Sequence, residues 1–341
     1  MIVVSCISLV SPVGYNAAAT CAALRAGIAA FEELDYPDSN GIPLKGARID
    51  AIAPAKRGRD RLVALAQLVV ELIAADAAVA LPWSQMPIIL CTRESDVPGT
   101  RLKGILSGLK LPDGSMLGQR RTAHIPAGQT SAFAALLQAR RMLGEDNEPA
   151  CLLLALDSLI DARTLAWLDG HMRLKTSAVT DGLIPGEAAC LAVVSSKPMT
   201  PHFLALRGLG LGSETATATN EEPFRADGLT TALRDALADA RAEMHEVAFR
   251  LSDVAGESYA FEELVLAQMR NMRKTRPEQP VWHAADCIGD TGAAAGLIQF
   301  AWAEQAFHRG YAPGDLAALH GSSMAFSGRA AAIVSGAKAP L

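Results

Sequence analysis

Apolar residues fall along this chain in two alternating patterns. Short continuous apolar runs predict buried strands: IVVSCISLV (Ile2 to Val10), PIILC (Pro87 to Cys91), ACLLLALD (Ala150 to Asp157), AACLAVVS (Ala188 to Ser195) and FLALRGLGL (Phe203 to Leu211). Between them, apolar residues at helical spacing predict helices over Ala17 to Ala26, Arg59 to Ala75, Thr130 to Leu143 and Ala162 to Leu168. The second half repeats the alternation. Helices are expected over Gly228 to Ala242, Phe261 to Arg273 and Ala293 to His308. Strands are expected over Ala248 to Val254, Pro280 to Ala285, Leu316 to His320 and Ala330 to Val334. This alternation makes the chain α/β. Each half also opens a buried helix from a glycine-containing turn, GQTSAFAAL at Gly128 and GDTGAAAGL at Gly289, which suggests a duplicated unit with two central helices.

Composition sharpens this. With 341 residues, half of them apolar, the chain can bury a large core in two domains or one double domain. A net charge of −5, spread along the chain, argues against a nucleic-acid partner. The basic runs AKRGRDR (Ala55 to Arg61) and RNMRKTR (Arg270 to Arg276) read as flanks of helix ends. The apolar stretch Leu62 to Leu81 is interrupted by Gln67, Glu71 and Asp76, so no membrane span is expected. Met1 runs straight into an apolar strand without a basic leader, and a cytoplasmic location is expected. The six cysteines show no metal-ligand spacing and read as reduced buried thiols. Cys287, just before a Gly-rich turn, is the one kept as a weak site candidate. The seven histidines sit singly, with no ligand spacing. No metal and no cofactor are expected.

The stretch IPAGQTSAFAALLQARRML holds the main chemical question. Pro126 to Gly128 reads as a tight turn that opens a helix with no charge before Arg140. Free N–H groups and the positive dipole end make such a junction a good mount for a nucleophile. The residue there is Gln129, and a neutral amide is no nucleophile.

Five segments, in order, resemble the β-ketoacyl synthases of the thiolase-like superfamily. The first is VVSCISLVSPVGYNAAATCAALRAGIAAFEEL, with its Ser-Pro-x-Gly turn at Ser11 to Gly14. Asp181-Gly182 with IPGEAACLAVV, then DGLTTALRDALADA, IGDTGAAAG and MAFSGRAAAIV follow. The resemblance implies a thiolase-like fold: duplicated halves, 1–200 and 201–341, in five αβαβα layers with two mixed sheets. It also implies a Cys nucleophile, two His and a Lys. Here Gln129 matches the Cys, Ala255 or else Gly256 the first His, Asp290 the second His, and Ala285 the Lys. The backbone N–H groups of Gln129 and Phe326 match the family's oxyanion frame. Fewer than forty residues separate Cys91 from Gln129, where active synthases carry a longer stretch that builds the dimer face and acyl pocket.

These departures lead to the expectation of a non-catalytic, homodimeric binding protein without condensing activity. Gln at the nucleophile position resembles chain-length factors, whose partner would be a ketosynthase subunit or an acyl carrier protein. The short length and the lost groups resemble the small synthase-like proteins encoded with type VI secretion genes. There the partner would be a secretion component or effector, in an adaptor or chaperone role. An enzymatic alternative stays open: a malonyl-thioester decarboxylase or another acyltransferase-class activity, or acid–base chemistry from Asp290 with Glu257. Against that pair stands a plainer reading of a surface Glu and a helix-capping Asp.

Overall fold

The computed structural model describes residues 2–75, 86–98, 109–110, 114 and 122–338. The first half contains β1 (Ile2–Val10), α1 (Ala17–Arg25), β2 (Glu32–Pro37), β3 (Pro43–Gly46), α2 (Gly58–Ala75) and β4 (Ile88–Thr92). It continues through β5 (Thr122–Pro126), α3 (Ser131–Gly144), β6 (Ala150–Ser158), α4 (Ala162–Gly170) and β7 (Glu187–Ser195). The second half contains β8 (His202–Ser213), α5 (Asp227–Ala240), β9 (Phe249–Ser252), α6 (Ser258–Asn271) and β10 (Val281–His283). It ends with α7 (Ala285–Ile288), α8 (Ala295–His308), β11 (Ala317–Ser322) and β12 (Gly328–Lys338).

Among the described residues, ten strands form one mixed sheet in the order β10-β9-β11-β12-β8-β1-β7-β6-β4-β5. The order mirrors itself about the β8–β1 junction, so each half supplies five strands. The two expected sheets are therefore joined, through a short antiparallel ladder of Ile2, Val3 and Val4 with Leu206, Ala205 and Leu204.

Strand alternation explains the layering. On β6, Cys151, Leu153 and Ala155 face a central cluster, while Leu152, Leu154 and Leu156 face α2 through Leu62, Leu65 and Val69. On β12, Ala330, Ala332 and Val334 join the same central cluster, and Ala331 and Ile333 face α5 through Leu229 and Leu233. The centre between the two half-sheets is filled by α3 and α8, where Phe133 meets Phe300 at 5.8 Å between ring centroids. Burial on both faces is why these strands read as continuous apolar runs rather than alternating ones.

Three elements escaped the hydrophobic pattern. The β2–β3 ribbon is charged and half-exposed, and β5 is an exposed edge strand (TAHIP). The stretch Pro280 to Ala285, expected as one strand, stops after His283 and passes into the short helix α7. The basic run at Ala55 to Arg61 does flank the start of α2, but Arg61 itself is buried. Its Nε donates to Glu187 Oε2 at 2.7 Å and its Nη2 to the Ile49 carbonyl at 3.1 Å. Residues 76–81 of the long apolar stretch, and much of the segment between Cys91 and Gln129, lie outside the described residues. Among the described residues no helix is long and apolar enough to cross a membrane.

Candidate functional site

Two glycine turns open the two central helices. Gly128, Gln129 and Thr130 form a single 3-10 turn before α3, and Thr130 Oγ1 donates back to the Ala127 carbonyl at 2.8 Å. Gly292 to Ala294 form the equivalent turn before α8. Both turns need glycine for two reasons. Gly128 (φ +52°) and Gly292 (φ +53°) lie in the left-handed region, and a Cβ would strike the Glu94 carboxylate at the first and the Asp157 carboxylate at the second.

The two turns meet through their polar side chains. Gln129 Nε2 donates to Asp290 Oδ2 at 3.1 Å and to Oδ1 at 3.3 Å. Asp290 Oδ1 also accepts from the Gly292 N–H at 2.8 Å, an Asx turn that leads into the second turn, whose N-cap is Thr291. Its backbone is locked as well: its N–H donates to the Ile184 carbonyl at 2.8 Å, and its carbonyl accepts from Gly186 N–H at 2.8 Å. Burial pushes the Asp290 carboxyl up to about 6, with Glu257 and Asp157 adding to the rise and Gly292 N–H and Arg173 opposing it.

Around this contact stand two buried ion pairs. Arg93 Nε donates to Asp157 Oδ1 at 2.8 Å, and Arg93 Nη1 donates to Thr164 Oγ1 at 2.5 Å. Asp157 further accepts from the N–H groups of Ser158 (2.9 Å) and Ala293 (3.2 Å), which ties β6 to the start of α8. Arg173 grips Glu257 with two bonds of 2.7 Å each. Glu94 accepts from the Ser323 hydroxyl, and desolvation pushes its carboxyl up. What is left is a cavity of about 40 Å³, lined in part by Arg93, Glu94, Gln129, Arg173, Asp290 and Phe326. That is room for about three water molecules at most. The described residues on its wall include no Cys, His or Lys.

The sequence candidates are brought together in part. Gln129, Asp290 and Phe326 share the cavity wall. Glu257 stands behind Arg173, 8% exposed, so it is not the surface residue of the plainer reading. The N–H of Phe326 donates to the Ser323 carbonyl at 2.9 Å and is already engaged, unlike the open donor expected there. Ala255 packs in an apolar cluster with Leu159 and Leu165, and Gly256 (φ +101°) lies against the Gly182 carbonyl. Ala285 lines a separate void of about 10 Å³ with Asp253, Asp290 and Gln299. There desolvation pushes Asp253 up to about 8, with Asp290 and Glu263 adding to it. Cys287 is 4% exposed in α7, and burial raises its thiol, which is the setting of a structural cysteine.

Sequence reasoning missed Arg93, Glu94, Asp157 and Arg173. A signal existed for three of them. Arg93-Glu94 follows the run PIILCT directly, and Asp157 ends the run ACLLLAL. Charges at the carboxyl ends of buried strands point to a polar centre in an open α/β sheet.

No family model matches the sequence, and no curated protein matches it. Solved structures do. A chain from the complex of a ketosynthase with its chain length factor, from Xenorhabdus doucetiae, superposes with a TM-score of 0.74 at 16% identity, over 98% of each chain. The ishigamide ketosynthase/chain length factor superposes at 0.68 with 20% identity, over 98% of this chain and 99% of that one. A β-ketoacyl synthase from Burkholderia phymatum superposes at 0.75 with 17% identity, over 99% of each chain. At these identities the likeness bears on architecture, and the chain has the thiolase-like ketosynthase fold.

Proposed function

We propose that this chain is a ketosynthase-fold protein that works by binding rather than by carbon–carbon bond formation. The observation that supports this best is the cavity at the paired helix openings. Its wall offers an amide where a nucleophile is needed and a carboxylate where the second imidazole is needed. Gln129 and Asp290 then stand at the Cys and second His positions, and Ala255 and Ala285 at the first His and Lys positions, as the resemblance implies. The ion pairs Arg93–Asp157 and Arg173–Glu257 fill much of the site, and among the described residues the space left, about 40 Å³, is too small for a long acyl chain.

In this reading the protein is an accessory subunit that assembles as a homodimer, and the sequence resemblance suggests an adaptor or chaperone-like role beside type VI secretion components. A second reading has its own support: two of the solved neighbours are ketosynthase and chain-length-factor assemblies of matching length, so a ketosynthase-type partner suits this chain. Incubation with acyl- and malonyl-carrier protein tests the shared core of both. No 3-ketoacyl product and no loss of CO₂ are expected, and detection of either overturns the binding-only reading. Affinity capture at native expression separates the two, since the second requires recovery of a ketosynthase or acyl carrier protein.

A further inference from the structure

A cleft of about 300 Å³ opens at the C-terminal end of α8, at the opposite end of that helix from Asp290. A second cleft of about 290 Å³ adjoins it and shares His202, Glu304 and His308. Three observations converge on the first. Its floor is a strained bulge: the β1–β7 register shifts between Ser5 and Ser8, and Cys6 sits at φ +50°, a conformation that a non-glycine residue adopts at a cost. Ser8 lines the cleft at 7% exposure with an Oγ that has no partner among the described residues. The rings of His202 and His308 stack across its rim, 3.8 Å between centroids and 18° between planes.

The charge in this cleft decides the ligand class. Glu304 is the charged residue among those lining it, and its side chain is 15% exposed. The buried carboxylates Asp157, Glu187, Glu257 and Glu263 each hold an arginine. Glu304 instead accepts from Gln305 Nε2 at 2.6 Å, and its ion-pair contact among the described residues is His308 Nδ1 at 3.7 Å. Desolvation, with Arg309 and Lys338 nearby, holds the His308 imidazole toward its neutral form, so it is a weak counter-ion. A desolvated carboxylate without a lasting cation is a poor structural element and a good cation receptor.

We propose that this cleft binds a small organic ammonium ion. Glu304 is its counter-ion and accepts one N–H, the Ser8 hydroxyl and one imidazole of the His202–His308 stack accept the other two, and Leu72 and Ile73 face its hydrocarbon body. A metal ion suits the site less well. Imidazole lone pairs lie in the ring planes, and two nearly parallel rings cannot both converge on an ion about 2 Å from each nitrogen. This site is independent of the function proposed for the Gln129 cavity.

The test is titration of the whole protein with n-hexylammonium at neutral pH, followed by the imidazole NMR signals of His202 and His308. A saturable shift is expected, with hexanol and hexanoate each binding roughly 10-fold more weakly or less, because a hydrogen bond to a charged group is lost. Glu304→Gln should weaken hexylammonium by a similar factor while the circular dichroism spectrum is unchanged. Absence of a saturable shift in the wild type overturns the proposal. So does equal binding of hexanol or hexanoate to the wild type, a comparison that stands even where E304Q does not fold.

Discussion

Asp290 offers a quantitative handle on the candidate site. Its carboxyl titrates near 6 in the folded protein against 3.8 for an unperturbed aspartate. The folded state therefore binds this proton more tightly than the unfolded chain does. The associated stability is fully present below about pH 3.8 and is lost as pH rises through about 6. At about 1.4 kcal/mol per pH unit, the loss at neutral pH is about 3 kcal/mol. Asp290→Asn removes the charge and keeps the contacts. Its Oδ1 can still accept the Gly292 N–H that now lies at 2.8 Å, and its amide can face Gln129 Oε1 once that amide rotates. D290N should match the wild type near pH 4 and exceed it by about 1–3 kcal/mol above pH 7. For a chain of this length that corresponds to a rise in Tm of roughly 2–4 °C. Urea unfolding of both proteins across this pH range is the assay. A D290N variant that is less stable than the wild type at pH 8, or a difference that does not change with pH, refutes the electrostatic account of this site.

Other outcomes follow from the same geometry. Gln129→Cys should not restore condensation, because the described cavity wall carries no imidazole and the new thiol would face Asp290; a 3-ketoacyl product from Q129C would contradict this. Gly292→Ala should destabilise by about 1–3 kcal/mol, since φ is +53° and the new methyl meets the Asp157 carboxylate; a shift in Tm below the error of calorimetry would count against it. Arg329→Met should cost about 3–5 kcal/mol, because Arg329 and Glu263 are both fully buried and the Arg329 guanidinium also holds the carbonyls of Ser323 and Phe326. The double variant R329M/E263Q should recover part of that loss in urea unfolding, and no recovery would mean the pair is not the source.

Periodicity placed most strands and helices within a few residues of their observed ends, because burial on both faces writes unbroken apolar runs into β4, β6 and β7. The edge strand β5 and the β2–β3 ribbon were illegible for the opposite reason: half-exposed strands of mixed polarity leave no such run. The Gly128 and Gly289 turns announced the two helix openings, and the resemblance matched Gln129 to the Cys and Asp290 to the second His position. Their mutual hydrogen bond was not visible, since 161 residues separate them along the chain.

The sequence by itself determined the α/β alternation, the duplicated glycine turns and the amide at the mount, because each depends on local spacing and side-chain identity. Only the tertiary structure decided what surrounds that mount. Arg93 pairs with Asp157, and Arg173 with Glu257, across 64 and 84 residues. Desolvation, which raises both Asp290 and Glu304, arises only when distant segments close around a carboxylate. Linear spacing carries no record of which charges will share a space that water has left.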